Sequence, residues 1–285
     1  MSGLQLRAGA LRLALRPDLG AAITGLWFDG LPLLRSSDLP QALSSARQAG
    51  ALVLAPYSNR IAAGRFAWDG QPQQLALAPG EPHALHGLAW QRPWTVTGHS
   101  AEAAQLELRH RPDADWPFGF TLRQHLSLRP DGLDLALQLD SDDARDQPAG
   151  LGWHPFFERR DGAHLRLAVQ RRWSCGPDRL PLAPEPHAPL DADIAALDLD
   201  HVYDGWDGQA WIDDAQLSLR LHLRSDARRV VVYAPLGRPF FCVEPVSHIH
   251  NALNLDDPLA AGLVRLRPGA RLTLDCHLDL HPLPP

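Results

Sequence analysis

The chain is poor in cysteine and has no excess of positive charge. Only Cys175, Cys242 and Cys276 occur among 285 residues. No two of them have the CxxC spacing, which disfavours a zinc knuckle or a disulfide framework and favours reduced, buried thiols. Lysine and arginine together number 27, against 33 aspartates and glutamates. Because phosphate contacts need clustered basic side chains, we expect no nucleic-acid partner.

Long apolar runs and common cofactor motifs are also missing. No apolar run approaches 18 residues, so no membrane-spanning helix is predicted. The first twenty residues break their apolar positions with arginine and lack the apolar region of a signal peptide. We therefore expect a cytoplasmic protein without a membrane partner. GxGxxG, GxxxxGKS/T and GxSxG do not occur, so the usual nucleotide and serine-nucleophile sites are not predicted.

The chain instead alternates leucine with other residues. The alternating runs are 11–15, 133–139, 217–223 and 272–280. A period of two places these leucines on one face of a strand. We expect Leu217, Leu219, Leu221 and Leu223 to face the core together.

Turn signals separate these strands. They are Trp-Asp-Gly-Gln-Pro at 68–72, Arg-Pro-Asp-Gly at 129–132 and Arg-Pro-Gly at 267–269. Only 36–50 and 190–197 are predicted to hold short helices. Many strands without βαβ alternation predict an all-β fold of large antiparallel sheets. No linker or repeat divides the chain, so we expect a single domain spanning 1–285.

Several polar residues interrupt this pattern and need another explanation. Glu244 follows an apolar strand that begins at Phe240, and a lone buried carboxylate is unfavourable. His154 lies between Trp153 and Pro155, which we expect to be buried. The other candidates are Asn59, Arg60, His83, His86, Asp200, His201, Asp204 and Asp207. An isolated histidine or arginine is often structural, so none of these is diagnostic alone.

A metal site is one alternative. On an extended strand Glu244, His248 and His250 would share a face and resemble a His/His/carboxylate ligand set. However, the proline at 245 and the sequence His-Asn-Ala-Leu-Asn favour a loop, so the three side chains need not share a face. We expect no metal and no cofactor. A histidine acid and a carboxylate base suit proton transfer on a polar small molecule, and nearby tryptophans offer flat faces to a sugar.

In order along the chain, the segments SNRIAAGRFAWDG, HALHGL, GWHPFF, LDHVYDGW and FCVEPVSH resemble those of the aldose 1-epimerases, or mutarotases. The resemblance covers nearly the whole chain. It implies a β-supersandwich of the galactose mutarotase-like type. It also implies interconversion of the α and β anomers of a free hexose.

The same resemblance implies a role for each matching residue. Glu244 would be the general base that removes the C1 hydroxyl proton, and His154 the general acid that protonates the ring oxygen. Asn59, Arg60, His86 and Asp200 would bind the sugar. His83 stands where many family members have asparagine. A carboxylate beside an imidazolium would favour both charged states.

Three other functions stay open at this stage. A hexose-6-phosphate 1-epimerase would need clustered cations, and none is evident around the motifs. A non-catalytic sugar-binding protein could lose the acid or the base, whereas both are present. A glycosidase normally uses two carboxylates. The partner expected in most of these cases is a small aldose, bound by a monomer or weak homodimer.

Overall fold

A computed structural model describes residues 3–284 of the chain. Within them, the backbone forms 26 β-strands, numbered β1–β26 in chain order, and no α-helix. Five short 3-10 turns complete the regular structure, at Pro40–Ala42, Ala46–Gln48, Ala89–Gln91, Ile194–Ala196 and Ala252–Asn254. All pairings between these strands are antiparallel, which confirms the predicted fold class.

The larger sheet contains eleven strands. They are β1 (Leu4–Ala8), β2 (Leu11–Arg16), β3 (Ala22–Phe28), β4 (Leu31–Leu34), β5 (Ala51–Leu54), β15 (Gly152–Glu158), β17 (Arg171–Cys175), β18 (Pro181–Pro186), β20 (Leu199–Asp204), β23 (Arg229–Ala234) and β24 (Phe240–Val246). Their order is β1-β2-β3-β4-β15-β24-β23-β20-β17-β18, and β5 pairs with β15 and β3. The centre of this sheet therefore combines strands from distant parts of the chain.

The second sheet contains nine strands in the order β10-β11-β12-β13-β26-β22-β21-β16-β19. They are β10 (Thr95–His99), β11 (Ala103–His110), β12 (Phe120–Arg129), β13 (Gly132–Ser141), β16 (Ala163–Leu167), β19 (Leu190–Asp193), β21 (Gln209–Asp214), β22 (Leu219–Ser225) and β26 (Arg271–Pro282). Three two-stranded sheets remain: β6 (Arg60–Ala62) with β9 (His83–Leu85), β7 (Arg65–Trp68) with β8 (Gln71–Gln74), and β14 (Gln147–Ala149) with β25 (Val264–Leu266).

The alternating leucines form the core. One continuous apolar cluster takes side chains from both large sheets, including Leu13 of β2 and Leu137 of β13. Leu219, Leu221 and Leu223 are buried together as predicted. Leu217 lies before β22 and is only partly buried against the core, because Asp214 accepts hydrogen bonds from the Gln216 and Leu217 N–H groups and holds a turn there. Since both sheets share this core, we propose that 1–285 form one domain.

The local turn predictions and helix predictions have different outcomes. The signals at 68–72 and 129–132 lie at hairpins, β7–β8 and β12–β13, as expected. The two helix predictions are wrong. Segment 36–50 contains only two 3-10 turns. In 190–197, residues 190–193 form β19, because they pair with β16 along the edge of the second sheet, and Ile194–Ala196 form a single 3-10 turn. None of the helical turns within 3–284 is long and apolar enough to cross a membrane.

Candidate active site

The two catalytic candidates lie on neighbouring strands of the larger sheet. In the register of β15 and β24, Phe156 pairs with Cys242, which sets His154 opposite Glu244. Successive side chains point to opposite faces of a strand, so Val243 packs in the core while Glu244 faces away from it. His154 Nε2 lies 3.3 Å from Glu244 Oε1. The acid and base candidates are therefore adjacent.

Asp200 reaches the same face from two strands away. β23 lies between β24 and β20, and its Tyr233 pairs with Asp200 on one side and with Cys242 on the other. The Asp200 carboxylate is partly exposed and accepts a hydrogen bond from Arg179 Nη1 at 3.3 Å. Asp200 therefore lies level with Cys242, which is two residues from Glu244 on β24.

Arg60 begins β6, Asn59 directly precedes it, and His86 directly follows β9. Asn59 and His86 have φ angles of 58° and 63°, in the left-handed region that few non-glycine residues adopt. Asn59 Oδ1 accepts hydrogen bonds from Arg60 N at 3.0 Å and Arg60 Nη1 at 3.1 Å. The Asn59 N–H donates to His86 Nδ1 at 3.1 Å. This bonding holds the three side chains in one unit.

All six predicted site residues line one open cavity of about 520 Å³. That volume falls in the usual range for a small-molecule site. Other lining residues that sequence reasoning did not assign to a site include Arg35, Arg47, Glu81, Phe156, Arg179, Tyr233, Arg238 and Phe240. The roles assigned to the six residues stay predictions, but the sheet register explains how positions from 59 to 244 meet.

A sequence model of the aldose 1-epimerase family matches residues 3–279. The chain belongs to the aldose 1-epimerase family. It is thus an isomerase-class enzyme with sugar epimerase activity, as this family and fold indicate. The Escherichia coli (strain K12) protein YphB, itself uncharacterised, is 27% identical over 288 residues, covering 95% of this chain and 96% of YphB.

Solved structures confirm the fold of this epimerase. One is an Escherichia coli K12 protein provisionally called an aldose 1-epimerase. It has a TM-score of 0.90 and 26% identity, with 99% of each chain covered. A galactose mutarotase-like protein from Clostridium acetobutylicum has a TM-score of 0.85 at 18% identity, covering 98% of this chain and 94% of its own. At that identity the second likeness shows the fold alone.

Burial governs the protonation of the His154–Glu244 pair in the epimerase. Both side chains are at most 8% exposed. Burial lowers the pKa of His154 to about 3, with Arg35 adding to the effect. Burial, together with the nearby Asp200 carboxylate, raises the pKa of Glu244 well above its usual range, and Arg60 opposes this rise. Both directions run against the sequence-based expectation that the two groups favour their charged forms, because desolvation disfavours both charges.

Aromatic contacts and a fixed tautomer orient the two histidines. His154 stacks on Phe156 with ring centroids 4.3 Å apart, and His86 meets His154 edge to face at 5.4 Å. Because His86 Nδ1 accepts the Asn59 N–H, a neutral His86 carries its proton on Nε2. Burial lowers the His86 pKa well below its usual value. His86 can therefore act as a neutral hydrogen-bond donor.

The alternative ligand set of Glu244, His248 and His250 does not assemble. His248 Nε2 accepts the Ser58 N–H at 3.0 Å, and His248 Nδ1 donates to the Ile249 carbonyl at 2.8 Å. Both ring nitrogens of His248 are thus used by the backbone. His250 is 1% exposed, and neither of its ring nitrogens has a hydrogen-bond partner within 3–284.

His83 lies apart from the catalytic candidates. Its Nδ1 accepts the Ala63 N–H at 3.0 Å, and it lines a separate smaller cavity of about 130 Å³. His83 therefore belongs to the structure of the β6–β9 ribbon.

We expect the folded protein to lose stability as the pH falls below 6.5, the usual value for histidine. Folding lowers the pKa of His154 to about 3 and of His248 to about 4, and lowers those of His86 and His250 well below 6.5. The unfolded chain then binds more protons between these values, so acid favours unfolding. Urea unfolding from neutral pH down to about pH 5 measures the effect.

Glu244 provides the control for this pH dependence. Its raised pKa contributes in the opposite direction, because the folded state then binds the extra proton as the pH falls. Glu244→Gln removes that opposing contribution and should make the loss of stability steeper. Stability that is flat or rises on acidification would contradict the expectation.

Proposed function

We propose that this epimerase interconverts the α and β anomers of a free hexose, with Glu244 as general base and His154 as general acid. The observation that supports this most directly is the 3.3 Å separation of His154 Nε2 and Glu244 Oε1 on the wall of a sugar-sized cavity. One group can reach O1 of a bound sugar while the other reaches O5, since these two oxygens share C1.

The reaction needs two proton transfers and no cofactor. Glu244 takes the proton from the C1 hydroxyl, the C1–O5 bond breaks, and His154 gives a proton to O5. The product is the open aldehyde. After rotation about C1–C2, the two transfers run in reverse and the ring closes on the other face. Atoms and protons balance, since each group returns to its starting state.

In this mechanism, sugar binding favours the ionised form of Glu244 and the protonated form of His154. The C1 hydroxyl donates a hydrogen bond to the Glu244 carboxylate, which favours its ionised form, and O5 accepts from protonated His154. The Glu244 and His154 charges also attract each other at short range in a site with little water. Burial thus disfavours both charged forms in the free site, and the bound sugar would favour transfer of one proton from Glu244 to His154.

The remaining candidates would hold the sugar while C1 turns. Arg60 and Asp200 offer charge-assisted hydrogen bonds to ring hydroxyls. Asn59 fixes the Arg60 guanidinium through the 3.1 Å bond from Nη1. His86 donates from Nε2.

Polarimetry of freshly dissolved α-glucose and α-galactose tests the proposed activity. The purified protein should speed the optical change above the spontaneous rate, and a chelator should not alter that rate. Absence of acceleration with any free hexose would contradict the proposal. Loss of activity with chelator and its return with zinc would contradict the metal-free mechanism.

Replacing Arg60 with alanine should raise KM much more than it lowers kcat. The guanidinium holds hydroxyls in both the ground state and the transition state, so its loss removes uniform binding. We expect a KM increase of about ten- to a hundredfold, the usual worth of a hydrogen bond to a charged group. Arg111→Ala, an exposed arginine outside the cavity lining, is the matched control and should leave KM unchanged.

A second candidate substrate is a sugar that carries an anionic group. The cavity lining contains five arginines, Arg35, Arg47, Arg60, Arg179 and Arg238, a cluster that was not evident from the sequence. Two pair with carboxylates: Arg47 with Glu81 and Arg179 with Asp200, each at 3.3 Å. Within 3–284, Arg35, Arg60 and Arg238 form no such ion pair. Arginine suits phosphate and similar anions because its donors form a planar fork.

Arg238 separates the two candidate substrates. It is exposed at the cavity, and the described residues offer it no hydrogen-bond partner. If the substrate is anionic, Arg238→Ala should lower kcat/KM for hexose 6-phosphates by about ten- to a hundredfold and leave free hexoses unaffected. Stopped-flow polarimetry on both substrates measures this. A wild-type preference for free hexoses, unchanged by the substitution, would remove the anionic candidate.

A further inference from the structure

A thiol lies beside the proposed acid–base pair. Cys242 precedes Glu244 by two residues on β24, so both side chains point to the same face, and Cys242 pairs across the sheet with Phe156, two residues from His154. One ligand atom each from His154, Cys242 and Glu244 lies within 4.8 Å of the other two. Cys242 forms no disulfide.

All three side chains are buried, and two carry polar atoms without partners. Counted over the whole residue, Cys242 is 0% exposed, Glu244 2% and His154 6%. Within 3–284, Glu244 Oε2 and His154 Nδ1 are buried and form no hydrogen bond. Buried polar atoms in native proteins almost always have a partner. These atoms are free to bind a ligand, and the 4.8 Å clustering of donor atoms from His154, Cys242 and Glu244 shows where one ion could contact all three residues.

We propose that His154, Cys242 and Glu244 bind a zinc-like divalent cation, whose fourth coordination position faces the cavity. Zinc prefers thiolate, imidazole and carboxylate ligands in a tetrahedron, and three protein ligands leave one position for water. Metal–ligand bonds of about 2.0–2.3 Å bring the donor atoms roughly 3–4 Å apart. The donors are within 4.8 Å already, so modest side-chain rotation closes the site.

Charge balance supports binding of such a cation. The thiol releases its proton to solvent, so a thiolate and a carboxylate together neutralise the two positive charges of the metal, and imidazole is neutral. A buried site with no net charge avoids most of the desolvation penalty that an isolated buried ion would carry.

Metal binding would inhibit the enzyme rather than activate it. If His154 and Glu244 are the acid and base of the proposed function, coordination occupies both and blocks proton transfer. The cation and the sugar then compete for one site. Cys242 packs among apolar side chains, does not line the cavity and takes no part in the proposed proton transfer. Its replacement should therefore separate inhibition from activity.

Titration with Co²⁺ without oxygen tests the site directly. The wild-type protein should develop the near-ultraviolet charge-transfer band of a cobalt–thiolate bond, and Zn²⁺ should abolish that band by displacement. Cys242→Ser should lack the band, and Cys242→Ala is a second variant for the same purpose. Cys276→Ser, which alters another fully buried cysteine, is the matched control and should keep the band.

Inhibition is measured on the same proteins. Zn²⁺ should inhibit the wild-type enzyme, a chelator should restore it, and Cys242→Ser should need at least about tenfold more Zn²⁺. A wild-type protein without a thiolate band, or equal inhibition of wild type and Cys242→Ser, would overturn the site. A band that depends on Cys242 in a protein without mutarotase activity would support the metal site and reject the proposed function.

Discussion

Replacing Glu244 with glutamine lowers kcat for mutarotation by a factor on the order of 10²–10⁴, the usual worth of a positioned general base. The amide keeps the shape of the side chain but cannot accept the C1 hydroxyl proton as a carboxylate does. Because Arg60 and Asp200 still hold the sugar, KM should change much less than kcat. Polarimetry with the spontaneous rate subtracted gives both constants.

Glu158→Gln is the matched control for this change. Glu158 is a half-buried carboxylate on β15 that does not line the cavity, and burial raises its pKa too. That variant should keep wild-type kcat. If Glu244→Gln stays folded and keeps nearly full kcat, the base lies elsewhere and the proposed mechanism is wrong.

Replacing His154 with asparagine should lower kcat over the same range, because asparagine retains some hydrogen bonding but cannot protonate O5. The ring also stacks on Phe156, so thermal unfolding must show that the variant is folded. His125→Asn changes a histidine of β12 outside the cavity lining and should leave kcat unchanged. A His154→Asn enzyme with full kcat would rule out His154 as the acid.

The double variant of Glu244 and His154 tests whether the two residues act as one unit. Groups that work together are strongly non-additive, since losing either already blocks the concerted transfer. The double variant should therefore be little worse than either single variant. Multiplicative losses would show instead that the two groups act in independent steps.

Much of the fold follows from local sequence pattern. A period of two along 133–139 predicts a strand with one buried face, and the Asp-Gly dipeptides predict where hairpins turn. Both depend on short-range chemistry, so they can be identified without knowing which strands pair. The helix expected over 190–197 is reduced to the 3-10 turn at Ile194–Ala196, because long-range pairing of β19 with β16 outweighed local propensity over 190–193.

The candidate catalytic residues can also be selected from the sequence. Glu244 and His154 lie in apolar segments, where burying a polar side chain without a partner is unfavourable. The proximity of these two residues cannot be predicted from the sequence. His154 meets Glu244 only because β15 and β24 pair in one register, and a slip by one residue would turn either side chain to the other face.

Three features of the site depended on tertiary structure alone. The lowered pKa of His154 and the raised pKa of Glu244 follow from burial, which local sequence does not measure. The five arginines of the cavity come from positions 35 to 238 and form a cluster only in space. Both ring nitrogens of His248 form hydrogen bonds with backbone groups, one of Ser58 and one of Ile249. Residue types and periodicity thus determine strands, turns and the candidate chemistry. Register and burial decide which groups meet and in which direction their pKa values shift, because both arise from contacts between distant segments.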